Sequence, residues 1–385
     1  MIKNRVTILD VGSSGVTALI GERGINNTFT VLSAARREYD GFAEGRFFDV
    51  GEFCGAVQRA VGELAENIKA DVKKIYVGVP GAFVRLENRK YKIAYKGKKK
   101  IKQVDIDDLF DAGRAAVEKE GYEVISHSDV YFVLDDNRKV FDPVGNISSM
   151  LGGNLTYILC EKYFTDAVRK ALSGIKADKI KFVFDGNAEG LYLLDREMRE
   201  FPSLIIDVGY ITTCFSIVLG NGILATQSVD FGGGMLTARF VEKFDLDFDD
   251  AEKLKRMVNF GISKGANSFY SLETDDGIRQ LPVGEVHGQV CKGLEELAAY
   301  TEKFVAENSN KVKSVIKLYL TGGGITYIRG AKDYFASKLG VHVEILSPNV
   351  SGYNKAGDCS VISLLDYALN DNNEKKRFFS DFFKF

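Results

Sequence analysis

The chain writes one hydropathy pattern twice: an apolar run, an Asp, a glycine turn with hydroxyl residues, then a second apolar run. The copies are Ile8-Leu9-Asp10-Val11-Gly12-Ser13-Ser14 and Ile205-Ile206-Asp207-Val208-Gly209-Tyr210-Ile211-Thr212-Thr213. Apolar–turn–apolar spacing predicts a β-hairpin with a polar tip. Glycine lets the backbone approach a phosphate, and successive N–H groups with Ser/Thr hydroxyls ring its oxygens. An Asp beside them holds Mg²⁺, directly or through water. Two such tips in two halves of one chain predict a two-lobed nucleotide clamp.

The flanking pattern supports a duplicated core. Strands are predicted at Val6–Leu9, Val16–Gly21 and Thr28–Ala35. A helix over Gly51–Lys69 follows, because Phe53, Val57, Ala60, Val61, Leu64, Ala65 and Ile68 fall at helical spacing. Lys74–Val79 reads as a strand stopped by Pro80-Gly81, with a helix at Glu161–Ser173, a strand at Ile180–Phe184 and a helix at Ala188–Arg199. From Leu204 the plan repeats: a hairpin, the turn Gly220-Asn221-Gly222 and a strand to Val229. Helices at Ala251–Asn259 and Val286–Asn308, a strand at Ile316–Leu320 and a last helix at Cys359–Leu369 complete it. The acidic run Asp245–Asp250 suits the positive end of a helix and needs no ligand. Gly-rich turns at 232–234 and 322–324 follow strands and are expected to open helices, which are natural seats for phosphate or adenosine. This alternation argues for an α/β fold with mixed sheets.

Between Phe83 and Cys160 the pattern reads as an insertion with its own core. Strand-like pieces lie at Ala82–Ile93, Asp129–Leu134 and Leu155–Leu159, with a helix at Asp105–Glu120, predicting a compact β-α-β unit. Arg89 to Lys102 carries eight Lys/Arg and no acid. One reading is a solvated hairpin edge kept from pairing by its charge. The other is a face for an acidic partner or an anionic lipid surface.

Composition excludes several classes. The 45% hydrophobic and 27% charged fractions are those of a soluble globular protein, and 385 residues allow two or three domains. Fifty-one basic against 53 acidic residues leave a net −2, so no global attraction to nucleic acid is expected. No apolar stretch approaches a membrane span, and the first residues lead into a strand, which predicts no secretory leader. Cys54, Cys160, Cys214, Cys291 and Cys359 are scattered, without a C-x-x-C pair, which suits a reducing cytoplasm. His127, His287 and His342 offer little for Ser-His or His-metal catalysis.

The two hairpins resemble the phosphate loops of the actin/Hsp70-type ATPase superfamily. Leu320-Thr321-Gly322-Gly323-Gly324-Ile325-Thr326 is similar to its adenosine motif. Within it the chain resembles FtsA, the bacterial cell-division actin homologue. Lys102–Ala116, Val124–Ser126 and Asp142-Pro143-Val144-Gly145 resemble the FtsA-specific subdomain 1C, and Ala251-Glu252-Lys253-Leu254-Lys255 its A-E-x-L-K helix. The resemblance implies an actin-like two-lobed ATPase fold, a ribonuclease-H-like duplicated core, with an inserted 1C subdomain. It implies subdomain 1A at 1–82, 161–196 and 355–370, and 1C at 83–160. Subdomain 2A is expected at 197–240 with 310–354, 2B at 241–309, and a linker with a membrane-targeting helix at 371–385.

That resemblance assigns ATP and Mg²⁺ as ligands. Asp10 and Asp207 would hold the metal through water, and Gly12, Ser13, Ser14, Gly209, Thr212 and Thr213 would ring the phosphates. Glu252 and Lys255, one turn apart, would meet the ribose or adenine, with Gly232, Gly233, Gly322, Gly323 and Gly324 bordering the nucleotide. Three departures argue against rapid hydrolysis and for at most a weak ATPase. Gly15 stands where the family usually has Lys, Ile211 and Cys214 replace an inner Gly and a final Asp, and Gly234-Met235 stands where Asp or Gln often follows the glycine pair.

The tail is the other functional signal. After the polar spacer Asn370–Asn373, the five phenylalanines Phe378, Phe379, Phe382, Phe383 and Phe385 fall within an arc of roughly 160° on a helical wheel. Lys375, Lys376 and Arg377 form a basic collar. Such a helix either docks on protein or anchors at a lipid interface, and the resemblance to FtsA selects the anchor. The expected function is a polymerising scaffold that tethers FtsZ to the cytoplasmic face of the cell membrane at the division septum. Further division proteins would bind through 1C, and nucleic acid would not be a partner. The alternatives are a PilM-like pilus-assembly homologue, which needs no amphipathic tail, and a small-molecule kinase of the superfamily, for which no phosphoacceptor base is visible.

Overall fold

The computed structural model describes residues 5–24, 28–68, 74–114, 117–175, 177, 179–262, 265, 268–312 and 314–382, with side chains beyond 371 outside that description. The chain forms two compact units, one of residues 1–203, 216–226 and 360–385, the other of 204–215 and 227–359.

The first unit begins with β1 (Arg5–Gly12), β2 (Gly15–Arg23) and β3 (Phe29–Glu38), then the short β4 (Phe42–Ala43) and β5 (Arg46–Phe47). Helix α1 (Val50–Ile68) follows and β6 (Lys74–Val79) returns to the sheet. The Asp49 carboxylate accepts from Gly51 N at 2.6 Å and Glu52 N at 3.0 Å, which satisfies donors at the helix start. The apolar stripe expected on α1 is fully buried at Phe53, Val57, Ala60 and Leu64. It meets an aromatic cluster in which Phe47 stacks on Phe53 with ring centroids 4.2 Å apart.

Next comes the insertion: β7 (Val84–Lys100), α2 (Gln103–Arg114), β8 (Tyr122–Leu134), β9 (Lys139–Val140) and β10 (Ile147–Glu161). Its antiparallel sheet has the order β7-β10-β8-β9. A separate core holds Leu109, Phe110, Phe132, Leu134, Leu151 and Leu155. The expected β-α-β unit is therefore one helix on four antiparallel strands. The strand pieces expected within 82–93 form one strand reaching Lys100, because Tyr95 and Ile93 pack against this core on alternate positions. The helix is described over Gln103–Arg114, and the residues from Val117 on are not helical, so it falls short of the expected Glu120.

Helix α3 (Lys162–Leu172), β11 (Lys179–Phe184) and α4 (Asp185–Leu193) close this stretch. The main sheet has the order β11-β6-β1-β2-β3. The helix expected over Ala188–Arg199 lies earlier. Gly186 and Gly190 let α4 approach Ser216 and Val218, where a Cβ at Gly186 would stand 2.5 Å from Ser216 Oγ.

The second half repeats the plan with β12 (Ser203–Val208), β13 (Thr213–Leu219) and β14 (Gly222–Val229), then α5 (Gly233–Phe244) and α6 (Phe248–Met257). The hairpin β15 (Phe269–Thr274) and β16 (Gly277–Pro282) precedes the 25-residue α7 (Val283–Glu307), β17 (Lys317–Thr321), α8 (Ala331–Leu339) and β18 (Val343–Ile345). The sheet order is β14-β13-β12-β17-β18. Asp247 caps α6, accepting from Asp250 N at 2.8 Å, so the acidic run serves the helix start.

The last helix, α9 (Cys359–Phe382), runs without a break through the expected polar spacer at 370–373. Its first half is fully buried at Ile362, Leu364, Leu365 and Leu369, each contributing roughly 2 kcal/mol of apolar burial. Gly21 and Gly78 make room for it: a Cβ at Gly21 would stand 2.7 Å from Leu365 Cδ1.

Candidate functional site

In the first unit the hairpin forms as the repeat predicts. Gly12 pairs with Gly15, leaving Ser13-Ser14 as the two-residue turn, and Asp10 lies opposite Thr17. A Cβ on Gly15 would lie 3.0 Å from Arg37 O, so this position holds no larger residue without movement. The Arg36 guanidinium lies over it, with Nε and Nη2 3.5 Å from that same point. A cation missing from the turn is thus brought in from β3. Ser360, on the first turn of α9, donates a short hydrogen bond to Asp10 Oδ1. Burial raises the Asp10 carboxyl above its ordinary range, while the Ser360 bond and the Arg36 charge act against the rise. Tyr39 Oη donates to Gly12 O at 2.8 Å and fixes the turn. Arg36, Tyr39 and Ser360 belong to this hairpin's surroundings but carry no local motif; only β-sheet register and helix packing bring them there.

In the second unit three glycine turns converge. Gly209 N donates to Thr212 O at 2.9 Å, closing the hairpin. Gly233 N and Gly234 N donate to Gly209 O and Tyr210 O at 2.9 and 2.8 Å, and Gly324 N donates to Val208 O at 2.7 Å. A Cβ at Gly232 would stand 2.3 Å from Tyr210 O, one at Gly233 2.6 Å from Gly324 O, and one at Gly324 2.4 Å from Gly209 O. Gly322 has φ +85 and would place a Cβ 2.3 Å from Asp207 Oδ1. Backbone therefore packs on backbone, and side chains are excluded. Gly233 opens α5, so the positive end of the helix dipole lies at this cradle, while the first N–H groups of the helix are taken up by Gly209 O, Tyr210 O and Gly232 O. Gly322–Gly324 leads into successive turns, with α8 starting only at Ala331, so the helix expected directly after it is absent. Gly323 approaches Gly357, whose Cβ would stand 3.2 Å from its Cα.

Thr213 is fully buried and gives its hydroxyl to Phe231 O at 2.6 Å, which leaves Thr212 as the hydroxyl residue of the turn itself. Lys255 is buried too. Its ammonium donates to Gly233 O at 2.9 Å and Thr237 Oγ1 at 2.8 Å, and pairs with Glu252 Oε2 at 2.5 Å. Three donors meet three acceptors, so Lys255 braces the glycine cradle from beneath. Burial pushes its ammonium below the usual range, with Glu252 pulling against it. Glu252 accepts from Thr237 Oγ1 at 2.7 Å and pairs with Arg256 Nε at 3.2 Å. Arg256 sits 5.8 Å over the Tyr327 ring, whose phenol is pushed up first by burial and then by Glu252. Tyr327 and Arg256 are the aromatic and cationic groups here that short motifs do not mark.

Among the described residues no cluster of three or more His, Cys, Asp or Glu could hold a metal ion. His287 is a core residue, stacked on Phe260 and bonded to Tyr270 Oη at 2.9 Å. No described helix is long and apolar enough to cross a membrane. Lys375, Lys376, Arg377, Phe378, Phe379 and Phe382 lie on α9, but their side chains fall outside the described residues, as do Phe383 and Phe385 altogether.

The duplicated sheet-and-hairpin core with its glycine cradle is that of an actin-like ATPase fold. Solved structures share it. The chain aligns with the PilM-PilN type IV pilus biogenesis complex at TM-score 0.63 and 16% identity, covering 94% of this chain and 98% of that one. It aligns with MreB 5 of Spiroplasma citri bound to AMPPNP at TM-score 0.56 and 12% identity, covering 97% and 98%. Within this class the chain is similar to FtsA proteins. Residues 81–159 match the SHS2 domain inserted in FtsA, and residues 192–267 match the type IV pilus assembly protein PilM. The cell division protein FtsA of Enterococcus hirae is 23% identical over 372 residues, covering 94% of this chain and 82% of that protein. FtsA of Bacillus subtilis is 18% identical over 373 residues, covering 94% and 83%.

Proposed function

We propose that this protein is an ATP-binding cell-division scaffold that polymerises and holds FtsZ filaments at the cytoplasmic face of the cell membrane, at the septum. The observation that carries the reading is an FtsA-type SHS2 insert in a chain that also keeps the glycine cradle. The positive end of α5 at Gly233 and the close glycine turns suit a phosphate, and Glu252, Arg256 and Tyr327 suit the ribose and base. Arg36 supplies the cation beside the first turn that Gly15 lacks. Asp10 and Asp207 each suit a Mg²⁺ held through water, since a single carboxylate leaves most of the coordination to water and phosphate. The metal would neutralise phosphate charge, while the protein positions the nucleotide at the glycine turns. The α9 tail carries the membrane contact, and the SHS2 insert the contacts to further division proteins.

Calorimetric titration with MgATP tests the cradle: wild type should bind and Asp207→Ala should bind more weakly. A wild type without heat of binding would mark the cradle as structural. Sedimentation with purified FtsZ and anionic vesicles tests the scaffold. A pilus-assembly role is the second reading, favoured by the PilM match over 192–267; failure to sediment with FtsZ would select it.

A further inference from the structure

The basic stretch of the insertion has no role in the reading above. Among the described residues β7 is an edge strand, paired on one side by β10. It exposes Lys90, Lys92, Lys96, Lys98 and Lys100, and among the described residues none of these five has an ion-pair partner. Lys99 differs: it turns inward to Asp105 at 2.6 Å, over the Tyr95 ring. Asp135, which feels the Lys98 charge, is already bonded to Ser149 N and Oγ at 2.8 Å.

Guarding a strand edge is the ordinary use of lysine here. Two observations go beyond it. The register jumps from Ser148↔Lys99 to Met150↔Ala94, so Tyr95–Lys98 bulges out opposite Ser149 alone. That bulge already interrupts strand addition at Tyr95–Lys98, so Lys96, Lys98 and Lys100 beside it exceed what this end of the edge needs as a guard. Second, Ile147 pairs with Lys100 and is 66% exposed, and Val144, 45% exposed, lies in the loop whose Gly145 approaches Lys100. Unpaired lysines around exposed apolar side chains match an interface of phosphate headgroups over acyl chains.

We propose that β7 of the SHS2 insert is a second membrane-contact surface, in which these lysines meet anionic lipid headgroups beside Val144 and Ile147. The inference rests on the membrane part of the proposed function but uses none of the tail's residues. It is tested in the full chain by sedimentation with phosphatidylglycerol and phosphatidylcholine vesicles. The variants are a tail variant with Phe378, Phe379, Phe382, Phe383 and Phe385 changed to Ser, a β7 variant with the five lysines changed to Gln, and the two combined. The tail variant should keep weak binding to phosphatidylglycerol that disappears at about 0.5 M salt, where screening shortens to a few Å. The combined variant should lose it, by about five-fold for each lysine in contact. Changing the same lysines to Arg should restore it, which separates charge from folding. The proposal falls if the tail variant does not bind, if its residual binding survives the Gln changes, or if labelled polyglutamate binds the row and vesicles do not. If the tail variant binds like wild type while the β7 variant does not, the tail reading fails and this one stands.

Discussion

Lys255 Nζ donates to the Gly233 carbonyl at 2.9 Å, so a buried ammonium on α6 holds the backbone turn that opens α5. Removing it leaves Gly233 O without its donor and Glu252 with only Arg256 and Thr237 as partners. Lys255→Met should lower stability by about 3 kcal/mol, the scale for breaking a buried ion pair. The exposed Lys253→Met should leave the urea midpoint close to wild type. Equal effects of the two changes would show that Lys255 is not a brace.

Gly322 tests the cradle's backbone packing. Its left-handed φ and the 2.3 Å approach to Asp207 Oδ1 both forbid a Cβ. Gly322→Ala should cost at least about 2 kcal/mol. Gly277→Ala, also at positive φ but with open space around it, should cost about 1 kcal/mol, the conformational penalty alone. Urea unfolding of both variants gives the comparison.

Arg36 lies beside the Gly15 turn, where the proposed function puts a phosphate. Arg36→Gln should keep the fold and weaken MgATP binding roughly tenfold, the loss of one charge-assisted contact of about 1.4 kcal/mol. An unchanged affinity in calorimetry would remove Arg36 from the site.

Asp371 pins α9 where its buried half ends. Its carboxylate meets Lys181 Nζ at 2.6 Å, Tyr76 Oη at 2.7 Å and Lys74 Nζ at 3.2 Å. Burial alone would raise its pKa, but these partners outweigh burial and bring it from 3.8 down to about 2. A depressed carboxylate stabilises the fold above its unfolded pKa and loses that contribution as pH falls through the folded value. Asp371→Asn should therefore weaken the hold on α9 by roughly 2 kcal/mol at neutral pH. The gap to wild type should close as pH drops from about 5 toward 2. Hydrogen exchange of the α9 amides measures it; a gap independent of pH would exclude this ion cluster as the cause.

Local pattern alone determined much of this protein. The hairpins around Asp10 and Asp207, the α1 stripe and the acidic cap of α6 depend on periodicity and on residues a few positions apart, which hydrophobic spacing and capping encode directly. The basic edge strand was legible as charge, but its bulge was not, because a bulge depends on the register with β10. Tertiary structure decided which groups surround each turn. Arg36 reaches Gly15 through β2–β3 register, Ser360 reaches Asp10 from 350 positions away, and Lys255, free to meet a ribose by helical spacing, is consumed beneath Gly233. The continuity of α9 through a polar spacer has the same origin. Spacer composition suggested a break, whereas Asp371 finds its partners on β6 and β11 only when the helix continues. Those outcomes rest on non-local packing and desolvation, which no window of adjacent residues contains.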